Sequence, residues 1–326
     1  MSIANKKPIL VTGSHRSGST WAGRMIAYER SLAYIHEPFN PDNKSGICKA
    51  HFKYKFPYIC EENESIYKKD LENCLRFKYH LLDDLKAKRS IINITRSIFN
   101  YSRFTKYRIL KKRPLVKDPI AVFSAEWLAK RFNMDVVVLI RHPAAFAGSL
   151  KKVKWSHPFK HFLQQPLLMK YRLHEYRSEI EEFSKNEKSI VDQAILLWKL
   201  VHHTILYYQD NYPDWIFVKH EDLSERPIEE FRNLYNRLGL TFSKGVGDKI
   251  RDFSLGDVSN IYGARQRTIR NWRERLSGEF LEQYKRNSKA NIRSWKKRLT
   301  GDEIKKIQRN TINIASKFYT KKDWEG

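Results

Sequence analysis

The chain has 326 residues with 30% of them charged and a mean hydropathy of −0.64. That length supports a substantial core, as one large domain or two small ones, and no apolar run approaches the ~18–20 residues of a membrane span. Its 62 Lys and Arg against 36 Asp and Glu leave a net charge of +26, which calls for an anionic partner: nucleic acid, an anionic membrane, an acidic polysaccharide or a polyphosphorylated ligand.

In chain order, residues 8–12 (PILVT) are an apolar run ending at a glycine and read as a buried strand. The chain reaches this strand almost at once, with no room for a secretion signal, so the expected compartment is the cytoplasm. Residues 18–29 read as a helix, with Trp21, Met25 and Ile26 at helical spacing. "SLAYIHEPFNP" reads as a second strand, stopped by Pro38 and Pro41. Residues 41–112 then read as an insertion of helices and loops, lysine-rich and dotted with aromatic clusters. The insertion holds Cys48, Cys60 and Cys74. An odd number without metal-ligand spacing implies neither a disulfide framework nor a zinc site.

Regular order resumes at "RPLVKDP", followed by a helix over 121–132 and the strand "MDVVVLI" over 134–140. The last is β-branched and fully apolar, as expected of a central strand in a parallel sheet. A helix follows Pro143. Residues 189–208 read as a long amphipathic helix, "DWIFVKHEDL" as another strand, and "PIEEFRNLYNRLGL" as a helix with a proline near its start and Gly239 near its stop. This alternation predicts an α/β domain of three layers, α/β/α, around a central parallel sheet. Residues 241–326 read as helical and basic. "NWRERLS" at Asn271 and "SWKKRLT" at Ser294 echo each other there, too few copies for a repeat architecture.

The turn "GSHRSGST", residues 13–20, has the glycine spacing of a phosphate-binding loop, Gly13 and Gly18, between a strand and a helix. Such a turn aims backbone N–H groups and a helix N-terminus at one point and binds phosphate or sulfate there. Ser14, Ser17, Ser19 and Thr20 add hydroxyl donors, and Arg16 adds a cation within the loop. A nucleoside-triphosphate loop carries lysine after its second glycine. Here Ser19 stands in that place, and "VVVLI" runs into Arg141 rather than into an acid that would hold Mg²⁺. The expected ligand is an anionic cofactor bound without metal. A second anion site is expected nearby. Arg141 ends the strand 134–140 and Ser149 lies on the next helix, both on the rim where ligands of open α/β sheets bind.

"TGSHRSGSTW" resembles the 5′-phosphosulfate-binding loop of sulfotransferases, and "RHPAAFAGSL" resembles their 3′-phosphate-binding motif, in the family's order. "VKHEDLSERPIEEFRNLYNRLGL" and "SKANIRSWKKRLTGDEIKKI" are similar to later segments of the family, the second to its C-terminal Trp-containing part. The resemblance skips residues 40–112. It implies a single P-loop-NTPase-like α/β domain that transfers a sulfuryl group from 3′-phosphoadenosine 5′-phosphosulfate (PAPS) to an acceptor hydroxyl or amine, leaving PAP. Carried onto this chain, it implies that Arg16 contacts the bridging oxygen and sulfuryl group. Ser17, Gly18, Ser19 and Thr20 cradle the 5′-phosphate, with Ser14 and His15 in the same loop. Arg141 and Ser149 hold the 3′-phosphate. His220 stands where the protein-tyrosine sulfotransferases have a cofactor-contacting Tyr, and Asn291 and Arg293 stand where the C-terminal segment closes on the 3′-phosphate.

The transfer needs a base, a His or carboxylate across from the loop. "HEP" offers both, His36 and Glu37, on opposite faces if the strand is regular. Glu37 is favoured, because family members with a Glu base place it at the end of the second strand. Lys117 in "LVKDP" is a candidate second cation on the sulfuryl oxygens, with Asp118 either orienting it or structural. The basic surface suits an anionic or neutral glycan or glycolipid acceptor, with peripheral membrane association in view. The acceptor contacts are expected in residues 40–112 and in the loop 155–166. Two other classes compete. A kinase-like phosphotransferase lacks its lysine and metal ligands here, and a nucleic-acid-binding protein has the charge but no recognisable motif.

Overall fold

The computed structural model describes residues 7–41, 46–86, 90–255 and 292–325. Five strands, β1 (Ile9–Gly13), β2 (Leu32–His36), β3 (Arg113–Lys117), β4 (Asp135–Ile140) and β5 (Ile216–Lys219), form one parallel sheet in the order β2-β3-β1-β4-β5. Successive residues of a strand point to opposite faces, and here both faces are covered. Ile9, Val11, Leu115, Val137 and Leu139 enter one core cluster, and Leu10, Val116, Val138 and Ile140 enter the other. Burial on both sides explains why these strands read as apolar runs without alternation.

The chain builds the β2–β3 half first and then crosses to β4 and β5 on the other side of β1. The strand order therefore reverses at β1 and β4, and their carboxyl ends flank the crevice where such sheets bind ligands. Several expectations shift in detail. β4 lies inside the sheet, but β1 is its centre. The long strand expected at "DWIFVKHEDL" stops at Lys219, and His220–Glu225 is helical, with Glu221 and Asp222 in its first turn. Carboxylates there suit a helix N-terminus better than an edge strand. The helix expected over 121–132 begins as a 3₁₀ turn, Pro119–Ser124, because the Asp118 side chain caps the Ile120 N–H.

The 41–112 insertion contains the helices Lys68–Leu75, Leu81–Lys86 and Ile91–Ile109. The helix Ile190–Asn211 is capped by Ser189, which accepts from the Asp192 N–H at 3.1 Å. The C-terminal helix Gly301–Ala315 starts with a capping box between Thr300 and Glu303, and Glu303 also pairs with Lys151 of the helix Pro143–Val153 at 2.7 Å. Asn271 and its "NWRERLS" lie outside the described residues, as does Asn291. No helix among the described residues is long and apolar enough to cross a membrane.

Candidate active site

The strand–loop–helix turn after β1 is held by backbone geometry that side chains resist. Gly13 has φ 131°, and a Cβ there would sit 2.2 Å from the Leu139 carbonyl oxygen on β4. Gly18 caps the helix Ser19–Ile26 at φ 84°, and a Cβ there would strike the His220 ring at 2.4 Å. Arg16 itself takes a left-handed φ of 64°, a conformation uncommon outside glycine. The loop is thus pressed against β4 and His220, with Arg16 turned toward the helix Pro143–Val153. Its Nε donates to Ser149 Oγ at 3.0 Å, and Arg141 donates in return to the Arg16 carbonyl. The two anion motifs, more than a hundred residues apart, form one connected station.

Ser14 and Ser17 are fully buried, and their hydroxyls have no hydrogen-bond partner among the described residues. Neither lines the cavity described below. His15 is buried too, its ring edge-on to Phe56, Phe146 and Trp155 at 4.6–5.5 Å between centroids. Burial, and after it the charge of Arg16, pushes its pKa down to about 3, so the ring is neutral. It ties the loop to the insertion and to the segment after Val153. Arg141 is held by a Trp198 indole N–H that donates to its carbonyl at 2.8 Å. Burial pulls its pKa down to about 10, partly offset by the carboxylate of Glu221, so it stays charged. Glu221 in turn accepts from the His142 N–H at 3.2 Å and from the Tyr319 hydroxyl at 3.0 Å.

Opposite the loop stand the ends of β2 and β3, paired at His36 and Lys117. β2 ends at His36, and Glu37 turns out of the strand with φ 44° while its N–H still bonds the Lys117 carbonyl at 2.8 Å. The expectation that His36 and Glu37 point to opposite faces fails at this turn: His36 Nε2 lies 4.0 Å from Glu37 Oε2. Only Glu37 of the two reaches the cavity. Its carboxylate is ion-paired with the Lys117 ammonium and accepts from Asn40 Nδ2 at 3.1 Å. Burial drives the Glu37 pKa up, but the Lys117 charge, His36 and these hydrogen bonds together outweigh it, so the carboxyl stays below its usual range.

Lys117 is 1% exposed, and its stem passes Gly23, where a Cβ would come within 3.2 Å of it. Burial lowers its pKa although Glu37 pulls the other way. Asp118 spends its carboxylate on backbone, accepting from the Phe39 N–H at 2.7 Å and the Ile120 N–H at 3.1 Å. It fixes the two strand ends and does not hydrogen-bond Lys117. Burial, then the nearby Glu37 charge, raises its pKa to about 7.

These parts enclose a cavity of about 770 Å³. Of the residues singled out from sequence, His15, Arg16, Gly18, Ser19, Thr20, Glu37, Lys117, Arg141, Ser149 and His220 line it. Arg293 is exposed and does not; its neighbours Ser294 and Arg298 take that part of the wall. They arrive because Gly148 leaves room for Trp295, which a Cβ would crowd at 3.2 Å. Lys55 and Trp155, from the two regions where acceptor contacts are expected, also line the cavity, as does Lys152, which was not singled out. Lys152 was within reach of the sequence reading, one turn beyond Ser149 on the same helix. Arg298 lies in the segment similar to the family's C-terminal part, but nothing local distinguishes it from Arg293, and nothing local distinguishes Lys55 from the other lysines of the insertion. Among the described residues no cluster of three or more His, Cys, Asp and Glu is placed to hold a metal ion.

A family model described as the sulfotransferase family matches residues 8–244, a span that holds both anion motifs and Glu37. No curated protein matches the chain. Among solved structures, the sulfotransferase domain from the curacin biosynthetic pathway superposes with a TM-score of 0.51 at 15% identity, over 95% of this chain and 98% of that one. The sulfotransferase domain of the Synechococcus PCC 7002 olefin synthase gives 0.48 at 17% identity, over 98% of each. Mouse sulfotransferase SULT7A1 complexed with PAP gives 0.44 at 11%, over 97% of this chain and 90% of that one. The parallel five-stranded sheet with flanking helices is the P-loop-like α/β fold of the curacin-pathway domain, and with the family match across more than half its length the chain belongs to the sulfotransferase family.

Proposed function

We propose that the protein moves a sulfuryl group from PAPS to a hydroxyl or amine of an anionic or neutral glycan or glycolipid. One observation carries the reading. Among the described residues the cavity wall holds six cations, Arg16, Lys55, Lys117, Arg141, Lys152 and Arg298, against a single carboxylate, Glu37. A ligand with anionic groups at two separated points suits that wall, and its two linked motifs, Arg16 in the loop and Arg141 with Ser149, suit the two ends.

When bound, PAPS supplies the sulfuryl group on a phosphate leaving group. The chain's residues do the remaining work. Gly18, Ser19 and Thr20 hold the 5′-phosphate at the helix N-terminus. Arg141 and Ser149 hold the 3′-phosphate, with His220 against the loop. Arg16 is preorganised to meet the charge that develops on the departing 5′-phosphate. Glu37 takes the acceptor's proton on its carboxylate. Its pairing with Lys117 keeps it ionised and ready, at some cost in basicity. Protonation of Glu37 dissolves that ion pair, which frees the Lys117 ammonium for anionic oxygens at the same moment. Lys55, Lys152 and Trp155 lie toward the insertion and the loop 155–166, where the acceptor contacts are expected.

A thermal-shift series with PAP, with ATP and Mg²⁺, and without ligand tests the reading. PAP at a hundredfold excess over its dissociation constant is expected to stabilise the fold by about 2.7 kcal/mol, undiminished by EDTA. Stabilisation by ATP only when Mg²⁺ is present would instead favour a phosphotransferase. Labelled PAPS offered to glycan and glycolipid pools then identifies the acceptor.

A further inference from the structure

The helix Ile91–Ile109 faces the wrong way for an ordinary surface helix. Of its nineteen residues only Ser97 and Phe104 are buried. At 100° per residue, Ile91, Ile98 and Ile109 fall on one line of the opposite face, with Ile92, Phe99 and Leu110 on the adjoining line. All six are exposed, Ile91 by 79% and Ile109 by 72%. Among the described residues, seven of the thirteen large apolar side chains exposed to solvent lie between 91 and 110, so the patch is concentrated rather than scattered.

Its own stretch of sequence is basic. No Asp or Glu occurs between Asp84 and Asp118, while Lys86, Lys88 and Arg89 precede the helix and Lys111 and Lys112 follow it. Arg96 and Arg103 flank the apolar lines on one side, Arg108 flanks them on the other, and Lys106 lies among them. Whatever covers this face must offer both apolar contact and negative charge. Nucleic acid supplies charge but nothing for six apolar side chains. A second copy in a two-fold contact would set the same basic face against itself. An anionic bilayer meets both demands.

We propose that residues 91–112 are a membrane-docking element that lies in the plane of an anionic lipid surface, its isoleucines in the acyl boundary and its lysines and arginines among the headgroups. Tyr101, 41% exposed, suits the headgroup level. Arg103 lies close enough to His36 for its charge to act there, so the element runs beside the strand end from which Glu37 reaches the cavity. An acceptor carried in the same membrane would be presented on that side. The inference rests on this surface alone and not on the identity of the donor.

Co-sedimentation of the full chain with vesicles tests it. Vesicles of phosphatidylcholine with about a third phosphatidylglycerol are expected to bind the protein in a salt-sensitive way, and pure phosphatidylcholine to bind it at least about tenfold more weakly. The triple variant Ile91→Ser, Ile98→Ser, Ile109→Ser is expected to lose about tenfold or more in affinity for the anionic vesicles with its thermal unfolding unchanged. Lys106→Gln with Arg108→Gln is expected to weaken binding severalfold and flatten its salt dependence. Equal binding to both vesicle types, or wild-type binding by the serine variant, would overturn the proposal. So would a wild type that is dimeric without lipid beside a monomeric serine variant, which would make the face a self-contact. Unbound vesicles beside duplex DNA bound equally by wild type and serine variant would make it a nucleic-acid surface and also overturn it.

Discussion

The two walls of the cavity are built on different principles. The loop wall, Gly13 to Thr20 with Arg141 and Ser149, gathers positive charge: its two guanidinium groups bond a serine hydroxyl and a backbone carbonyl, and the Glu221 carboxylate acts on Arg141 from behind. The opposite wall, Glu37 with Lys117 and Asp118, is nearly charge-balanced and closed on itself. The first wall suits binding an anion that arrives with its own charge. The second suits a proton transfer in which one partner of an ion pair changes state. Affinity and turnover should therefore separate by wall.

The sharpest way to break this division is Glu37→Gln. Turnover with labelled PAPS is expected to fall about 10²–10⁴-fold, with PAP affinity by calorimetry almost unchanged. A variant that turns over like wild type removes Glu37 from the role of base.

Buried groups in and behind these walls should respond to acid in opposite directions. Burial depresses His15, beside which Arg16 adds a smaller push, and His142, both to about 3, so the folded state refuses protons that the unfolded chain accepts below pH ~6.5. Stability from these groups is intact above that pH and is lost as pH falls, by roughly 1.4 kcal/mol per pH unit for each. Asp118 runs the other way. Its folded pKa is raised to about 7, so it favours folding in acid and loses that contribution as pH rises from about 4 to 7. Denaturant titrations across pH 4.5–7.5 (roughly the window of both shifts) are expected to show a flatter acid limb for His142→Phe and a steeper one for Asp118→Asn. An acid limb unaltered in both variants would contradict the assignment.

On the loop wall, Arg141→Ala is expected to weaken PAP binding about 10–100-fold, the worth of a charged hydrogen bond, with a smaller change in the rate of the bound complex. Unchanged calorimetric affinity would mean that Arg141 serves only the loop carbonyl it now bonds. The smallest effect sharpens the C-terminal part of that wall: Arg298→Ala is expected to cost severalfold in PAP affinity, while Arg293→Ala, exposed and off the cavity, leaves it within about twofold, as surface substitutions do. The reverse order would restore Arg293 to the site.

Legibility followed chain distance. The phosphate loop could be read because strand, glycines and helix start are contiguous, and backbone direction there follows from the glycines themselves. Arg141 and Ser149 could be read because a strand end and the first turns of its helix share one rim. Glu37 was found, but its relation to His36 was misjudged, since a left-handed residue ends the strand and no residue type in "HEP" announces it. Lys55 and Arg298 reach the cavity from segments whose positions depend on what they pack against. Arg298 owes its place to Trp295 seated on Gly148, a contact between residues far apart in the chain. The outward apolar face of Ile91–Ile109 was equally hidden, because its periodicity marks an amphipathic helix without saying which side meets the core.

The parallel α/β class, the glycine-spaced loop with Arg16, and Arg141 at a strand end are legible in the sequence, because they follow from local backbone chemistry and from the alternation of strands with helices. Packing sets the rest: Arg141 bonds the Arg16 carbonyl, Arg16 bonds Ser149, Lys117 holds Glu37, and among the described residues six cations line the cavity with one carboxylate. Those facts depend on strands that are neighbours in the sheet and distant in the chain, where long-range packing rather than local preference sets the distances.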